Sequence, residues 1–205
     1  MLQHIKGDVK NQGADFIGTS FGATSGLIRF WRSENLWPVR MGFRRDHASG
    51  EYSVMMLSAL SEAGASVVSA ARACLLADLP QALSDPLRDL DARVAALLLQ
   101  RNPAQAEIDV SVPTPRDLEN VRSFTDDERS YEDNMASIWR YVVWAMCNAK
   151  PVLSNREQGV LVTKVLQRHS WVKMAQEFDL TGKAGVKQCL QSGLRQLLAT
   201  VPTES

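Results

Sequence analysis

The spacing of apolar positions divides the chain into a short mixed segment and a long helical one. Leu2, Ile5 and Val9 recur at helical intervals up to Gly13, which predicts the last turns of a helix over residues 2–12. Residues 15–20 read as a short strand, with Gly22 permitting the turn after it, and Thr24 or Ser25 caps a helix to Ser33. That helix presents Leu27, Ile28, Phe30 and Trp31 as a broad apolar face, with Phe30 and Trp31 expected in the core, and Asn35 as a left-handed stop. Residues 36–43 and 51–60 are rich in β-branched, aromatic and large apolar side chains and flank the polar loop 44–50, so they predict a hairpin. Pro38 places the first of these strands at a sheet edge.

From residue 61 the apolar period changes to that of a helix. Val67, Val68, Ala71, Cys74 and Leu75 mark one helix, ended by Pro80. Ser84 or Asp85 caps a second, with Pro86 at its first position and Leu87, Leu90, Val94, Leu97 and Leu98 on one side. Residues 101–115 hold three prolines and no period, and read as an exposed connection. Thr114-Pro-Arg-Asp117 opens a short helix. Thr125-Asp-Asp-Glu128 has the capping-box pattern for a central core helix to about residue 149, carrying Met135, Ile138, Trp139, Val142, Val143 and Met146. Ser154-Asn-Arg-Glu157 is a further capping box for a helix to about residue 168, and helices over 170–178 and 183–200 follow around a turn at 179–182. This is the outline of a helix-turn-helix and equally of a small helical bundle. The fold class expected is α+β: a β-α-β-β sheet over residues 1–60, then a mostly α-helical domain over 61–205 with a helix-turn-helix-like end at 154–200.

Composition narrows the class. Hydrophobic residues make up 45% of the 205, enough for a buried core. No run of 18 apolar residues occurs and residues 1–8 lack a signal-peptide pattern, so a soluble cytoplasmic protein without membrane contact is expected. Cys74, Cys147 and Cys189 are odd in number and far apart, which predicts buried reduced thiols rather than disulfides or a metal site. The net charge of zero conceals basic ends and an acidic middle: Lys/Arg against Asp/Glu stand at seven to four over residues 1–50, seven to fifteen over 51–135, and nine to four over 136–205. Such a chain can offer local positive surfaces to a polyanion.

The three histidines are isolated, and no nucleophile triad, metal-ligand spacing or glycine-rich phosphate loop is present. Candidate chemistry therefore rests on cations. Lys183, Lys187, Gln191 and Arg195 recur every four residues on the last predicted helix, joined by Lys164, Arg168, Lys173 and His169; this stripe is either a phosphate-binding surface or a solvated face. Arg40, Arg44 and Arg45 surround the hairpin turn beside His47, where arginines can grip phosphate bidentately.

The segments Gly13-Ala-Asp-Phe-Ile, Ser20-Phe-Gly-Ala-Thr, Arg29-Phe-Trp31, Val39-Arg-Met-Gly42, Ala48-Ser-Gly50 and Tyr52, with Met55 and Leu57 to Ser61, resemble the tRNA(Met) cytidine acetyltransferase family. The resemblance implies that residues 1–60 are the second half of a GNAT-type acetyltransferase domain and that the helical remainder is a tRNA-binding tail. It further implies acetylation of N4 of the wobble cytidine in elongator tRNA(Met), with acetyl-CoA as donor, and ATP bound by a module this chain does not contain. Thr24, Arg29 and Arg32 are the implied cofactor-side residues. The family pattern has a glutamate and an arginine near the CoA where this sequence has Gly26 and Ser33, so those roles are not carried over. The implied chain is the C-terminal part of a larger enzyme, inactive alone, with an open strand edge over residues 15–20 available for self-association. The alternative from another class is a stand-alone helical module that binds nucleic acid or protein without catalysis.

Overall fold

The computed structural model describes residues 2–101, 112–148 and 153–200. Of these, residues 2–79 form one compact unit and residues from 80 onward a second. In the first unit, α1 (Leu2–Asn11) stops at Gly13, whose φ of 84° suits glycine. Strand β1 (Phe16–Gly22) leads to α2 (Ser25–Ser33), which starts where the Thr24 hydroxyl accepts the Leu27 N–H at 3.3 Å and ends before Asn35 at φ 61°. Strands β2 (Trp37–Arg45) and β3 (Tyr52–Ala59) form the expected hairpin. The sheet order is β1-β3-β2, with β3 antiparallel to both neighbours, so the last strand lies between the first two. Strand β2 is an edge strand, as Pro38 requires, and the register shifts between Pro38 and Arg40.

One face of the sheet carries the core. Along β3, Tyr52, Val54, Met56 and Ser58 are buried while Ser53 and Met55 are exposed, the alternation a pleated strand imposes. Helix α2 is narrower in its contacts than its composition suggests: Ile28 is buried, but Leu27 and Phe30 are exposed and Trp31 is only half-buried, stacked on Phe21 with centroids 6.4 Å apart. Nine residues touch a sheet along a single line, so the expected placement of Phe30 and Trp31 in the core is corrected.

Helix α3 (Glu62–Ala82) buries Gly64, Val68, Arg72, Leu75, Leu76 and Leu79, whereas Val67 and Cys74, both expected inside, are exposed. Pro80 lies within the helix rather than ending it; in the last turn its missing N–H forfeits one bond and the next two residues complete the helix. Arg72 is wholly buried and its Nη1 donates to the Pro38 carbonyl at 2.9 Å. That tie to β2 draws α3 into the sheet unit as far as residue 79, beyond the boundary at 60 set by the change of period. Gly64 is required where α3 begins, because a Cβ there would stand 1.8 Å from the Asp15 carbonyl oxygen.

In the second unit, residues 83–90 form turns where a helix was expected. The Asp91 carboxylate accepts the N–H groups of Arg93 and Val94 at 2.9 and 3.0 Å and so starts α4 (Ala92–Leu99) later than the Ser84 or Asp85 cap would. Leu87 and Leu90 are nevertheless buried. Helix α5 (Pro115–Thr125) opens on the Thr114/Asp117 capping box. Thr125 ends that helix instead of capping the next; Ser130 opens α6 (Tyr131–Asn148), accepting the Asp133 N–H at 3.1 Å and donating its hydroxyl to the Asp133 carboxylate at 2.7 Å. Helix α6 is central, with Ile138, Tyr141, Val142, Val143 and Met146 buried and Met135 exposed. Helix α7 (Asn155–Leu161) starts at the Ser154/Glu157 box and continues as a π-helical segment, Val162–Leu166, which a 3.6-residue period does not anticipate. Helices α8 (Trp171–Glu177) and α9 (Gly182–Ala199) complete the helix-turn-helix outline. Most of the connection expected over residues 101–115, and the helix end expected at about residue 149 before Pro151, lie outside the described residues.

Candidate functional site

In the sheet unit, Thr24, Arg29 and Arg32 share α2 and its cap. The Thr24 hydroxyl is spent on the helix N-terminus. Arg29 is exposed, while the Arg32 guanidinium lies over the Trp37 ring, 4.5 Å from its centroid. Burial, and then the positive charge of Arg29, lower the Arg32 pKa, so two guanidiniums stand close enough to repel. An added Cβ at Gly26 would meet nothing within 4 Å, which leaves open space beside the first turn.

The hairpin cluster is also in place. Arg40, Arg44, Arg45 and His47 are exposed around a turn that Asp46 organises by accepting the N–H groups of Ala48 and Ser49 at 3.1 and 2.9 Å and the Ser49 hydroxyl at 3.0 Å. The Ser49 bonds hold the Asp46 carboxyl below its usual range. Arg45 is partly committed: Nη1 donates to the Gly50 carbonyl at 3.1 Å and the guanidinium lies over Tyr52 at 4.9 Å.

In the helical unit the tail cations are brought into three groups rather than one stripe. Lys187 pairs with Asp127, Gln191 donates to the Phe124 carbonyl at 2.8 Å, and an Arg195 Nη donates to the Thr125 carbonyl. One side of α9 is therefore a seam against the α5–α6 turn, an arrangement outside the two alternatives that spacing offers. Lys164 and Lys183 form the second group, on the ring of Trp171 at 4.3 and 5.2 Å. Lys164 is buried and donates to the His169 carbonyl at 2.8 Å; Lys183 reaches Glu132 at 3.5 Å. Tyr131 packs edge-on to Trp171, 5.3 Å between centroids, and burial pushes its hydroxyl up to about 12. The third group is Arg168, exposed at the end of the π-helical segment, and Lys173, paired with Asp89 at 3.3 Å.

Sequence reasoning missed a concavity in this unit, because its residues come from four separate stretches: the turn before α4, the start of α7, the π-helical segment and the end of α8. His169, isolated in sequence, is buried there with Nε2 2.9 Å from the Arg88 carbonyl oxygen. All three cysteines are free, Cys147 buried, Cys189 intermediate and Cys74 exposed, so Cys74 departs from the expected buried thiol. Among the described residues no group of three or more His, Cys, Asp or Glu is arranged to hold a metal ion, and no helix is long and apolar enough to cross a membrane.

Residues 1–61 match a family model described as GNAT acetyltransferase 2, so the match ends where α3 begins. A protein of Nitrosococcus halophilus named tRNA(Met) cytidine acetyltransferase TmcA is 36% identical over 203 residues, covering 97% of this chain and 26% of that protein. The chain matches the C-terminal part of the tRNA(Met) cytidine acetyltransferases. Proteins of the same name from Vibrio cholerae and Haloferax volcanii are each 30% identical, over 189 and 193 residues, covering 92% and 94% of this chain and 25% of each relative. The chain thus spans about a quarter of the length of these relatives. The α+β expectation, a partial GNAT sheet followed by helices, holds.

Proposed function

We propose that this chain is the C-terminal part of an RNA acetyltransferase that forms N4-acetylcytidine at the wobble position of elongator tRNA(Met), using acetyl-CoA and ATP in the cytoplasm, with the helical unit contacting tRNA. The observation that carries this reading is the match of nearly the whole chain, sheet and helices together, to relatives named for that activity. A GNAT sheet alone would leave the acceptor undefined.

The α2 region suits an anionic cofactor. Arg29 and Arg32 repel each other in its absence, Gly26 leaves room beside them, and an anion between the two guanidiniums relieves the repulsion. In this reading Arg29 and Arg32 hold phosphate groups of acetyl-CoA and Thr24 fixes the helix start. The cofactor supplies an activated thioester to the cytosine amine. What this chain contributes is orientation, since alignment of two reactants removes much of a barrier. For tRNA, the exposed cations Arg40, Arg44 and Arg45 on the hairpin and Arg168, Lys173 and Lys183 on the helical unit supply phosphate contacts, while Lys187, Arg195 and buried Lys164 brace the surface that presents them.

Filter binding of transcribed elongator tRNA(Met) to the 205-residue chain across a salt series tests this. Affinity is expected to fall steeply with salt, and Lys183→Ala with Arg168→Ala to reduce the slope of log K against log salt by roughly 0.7 to 0.9 per lost phosphate contact. A flat salt response sinks the RNA reading. The isolated chain, given acetyl-CoA, ATP and that transcript, is expected to produce no N4-acetylcytidine. A second reading, a helical binding module without catalysis, is favoured by Gly26 and Ser33 at the positions where the family pattern has charged residues. Failure of the chain to bind acetyl-CoA in calorimetry, with tRNA binding intact, would favour it.

A further inference from the structure

The concavity of the helical unit has a volume of about 680 Å³ and walls that are fixed before any ligand arrives. Arg88 donates Nε to the Gln167 carbonyl at 3.1 Å and Nη2 to the Arg168 carbonyl at 2.9 Å, and the His169 ring returns a contact to the Arg88 carbonyl at 2.9 Å. Gln167 Nε2 donates to the Leu90 carbonyl at 2.6 Å. The turn before α4 is thereby clamped to the end of the π-helical segment through both partners' backbones, and Lys173 closes one side on Asp89. A pre-formed cleft of this size accommodates a small molecule or one residue of a polymer.

Two observations indicate what it has to offer. Thr163, on the π-helical segment, lines the cleft at 2% exposure, and its hydroxyl has no hydrogen-bond partner among the described residues. Such a hydroxyl is a standing cost, and a bound polar group removes it once rotation about χ1 turns the hydroxyl into the cleft. At the rim, Arg93 and Arg156 are exposed, and neither is in an ion pair with any described residue. The wall between contains Phe178, which approaches α7 so closely that a Cβ on Gly159 would meet its ring at 2.5 Å. Segments with π-helical turns recur at functional sites.

A hydroxyl that can both donate and accept, an aromatic ring and two uncommitted guanidiniums match the parts of a nucleotide. Guanidiniums bind its phosphate, the ring stacks its base, and the hydroxyl takes a base or ribose edge. Glu177 and Asp179 also line the cleft, so its charge is mixed. That suits a nucleotide, whose amines and hydroxyls donate to carboxylates, better than a bare phosphate. We propose that this cleft holds one nucleotide of the bound RNA, its phosphate on Arg93 and Arg156 and its nucleoside against Phe178 and Thr163. The proposal rests on the tRNA reading above and adds a subsite to it, bordered by Lys173 of α8.

The test uses the 205-residue chain, a transcribed tRNA(Met) and the same transcript substituted with 4-thiouridine. Arg93→Ala with Arg156→Ala is expected to weaken tRNA binding roughly tenfold, the scale of two solvent-exposed ion contacts. Thr163→Val is expected to weaken it severalfold while the melting temperature stays the same or rises, because the isosteric methyl ends a buried unpaired hydroxyl. Photocrosslinks are expected on peptides containing Phe178 or Arg156, and cytidine 5′-monophosphate, but not inorganic phosphate at equal concentration, is expected to suppress them. Wild-type binding unaltered in both variants, with crosslinks elsewhere, overturns the cleft and leaves the tRNA reading standing. No tRNA binding by the wild-type chain overturns both. A Thr163→Val variant that loses binding and melting temperature together assigns that residue to packing and overturns its part.

Discussion

Asp117 is 2% exposed, yet its carboxyl is held well below the usual carboxylate range, chiefly by Arg140, with Ser137 and Thr114 adding hydrogen bonds against the opposing effect of burial. Arg140 Nε donates to it at 3.1 Å, and the same carboxylate closes the capping box of α5. The motif Thr114-Pro-Arg-Asp117 made the cap readable; its partner 23 positions on was not, because nothing local links the two. A carboxyl with a depressed folded pKa contributes stability that is complete above the unfolded value of about 4 and is lost as pH falls toward the folded value. Asp117→Asn is therefore expected to cost about 2 kcal/mol near neutral pH, by denaturant titration, and to flatten the fall in stability below about pH 4. Arg72 teaches the converse lesson. An arginine ordinarily stays at the surface, and Arg72 lies in the buried stripe of α3 with Nη1 bonded to the Pro38 carbonyl, 34 positions away.

At the level of elements, caps and terminators were the most legible signals. Thr24, Asn35, Ser154 and Ser170 each end or start a helix where their side chains or φ values dictate, since these interactions span three or four residues. Errors arose where two local signals competed. Ser84-Asp-Pro86 looked like a helix start, but Asp91 captured the free amides instead, and Thr125-Asp-Asp-Glu128 lost to Ser130. The π-helical segment had no local signature, and its environment is assembled from afar: Lys164 sits between the rings of Tyr131 and Trp171 and is tied to His169. Lys164→Met is expected to lower the unfolding free energy by about 1 to 3 kcal/mol, through the lost charge-assisted bond and ring contacts. The same variant should reduce tRNA affinity only through that loss, so its binding should approach wild type at a temperature well below its own transition.

For the whole molecule, among the described residues of the sheet unit β1 has a partner strand on its β3 side alone, and Phe16 and Met55 are exposed. An unpaired edge beside apolar side chains recruits a further strand. The 205-residue chain is expected to self-associate at micromolar concentration, seen as a concentration-dependent sedimentation coefficient, and a lysine at Thr19 should weaken that association. A monomer across the range, with β1 amides protected from exchange, would contradict it.

By itself, the sequence determined the order and kind of most elements, the edge position of β2, and the family resemblance, because periodicity, caps and short motifs are encoded within a few residues of one another. The tertiary structure alone decided which cations remain available to a ligand. Lys187, Gln191 and Arg195 are four residues apart on a helix, and spacing places them on one side; whether that side meets water, phosphate or the α5–α6 turn depends on carbonyls and carboxylates about 60 to 70 positions away. The cleft at Thr163 is decided in the same way, since its walls come from stretches that only packing brings together.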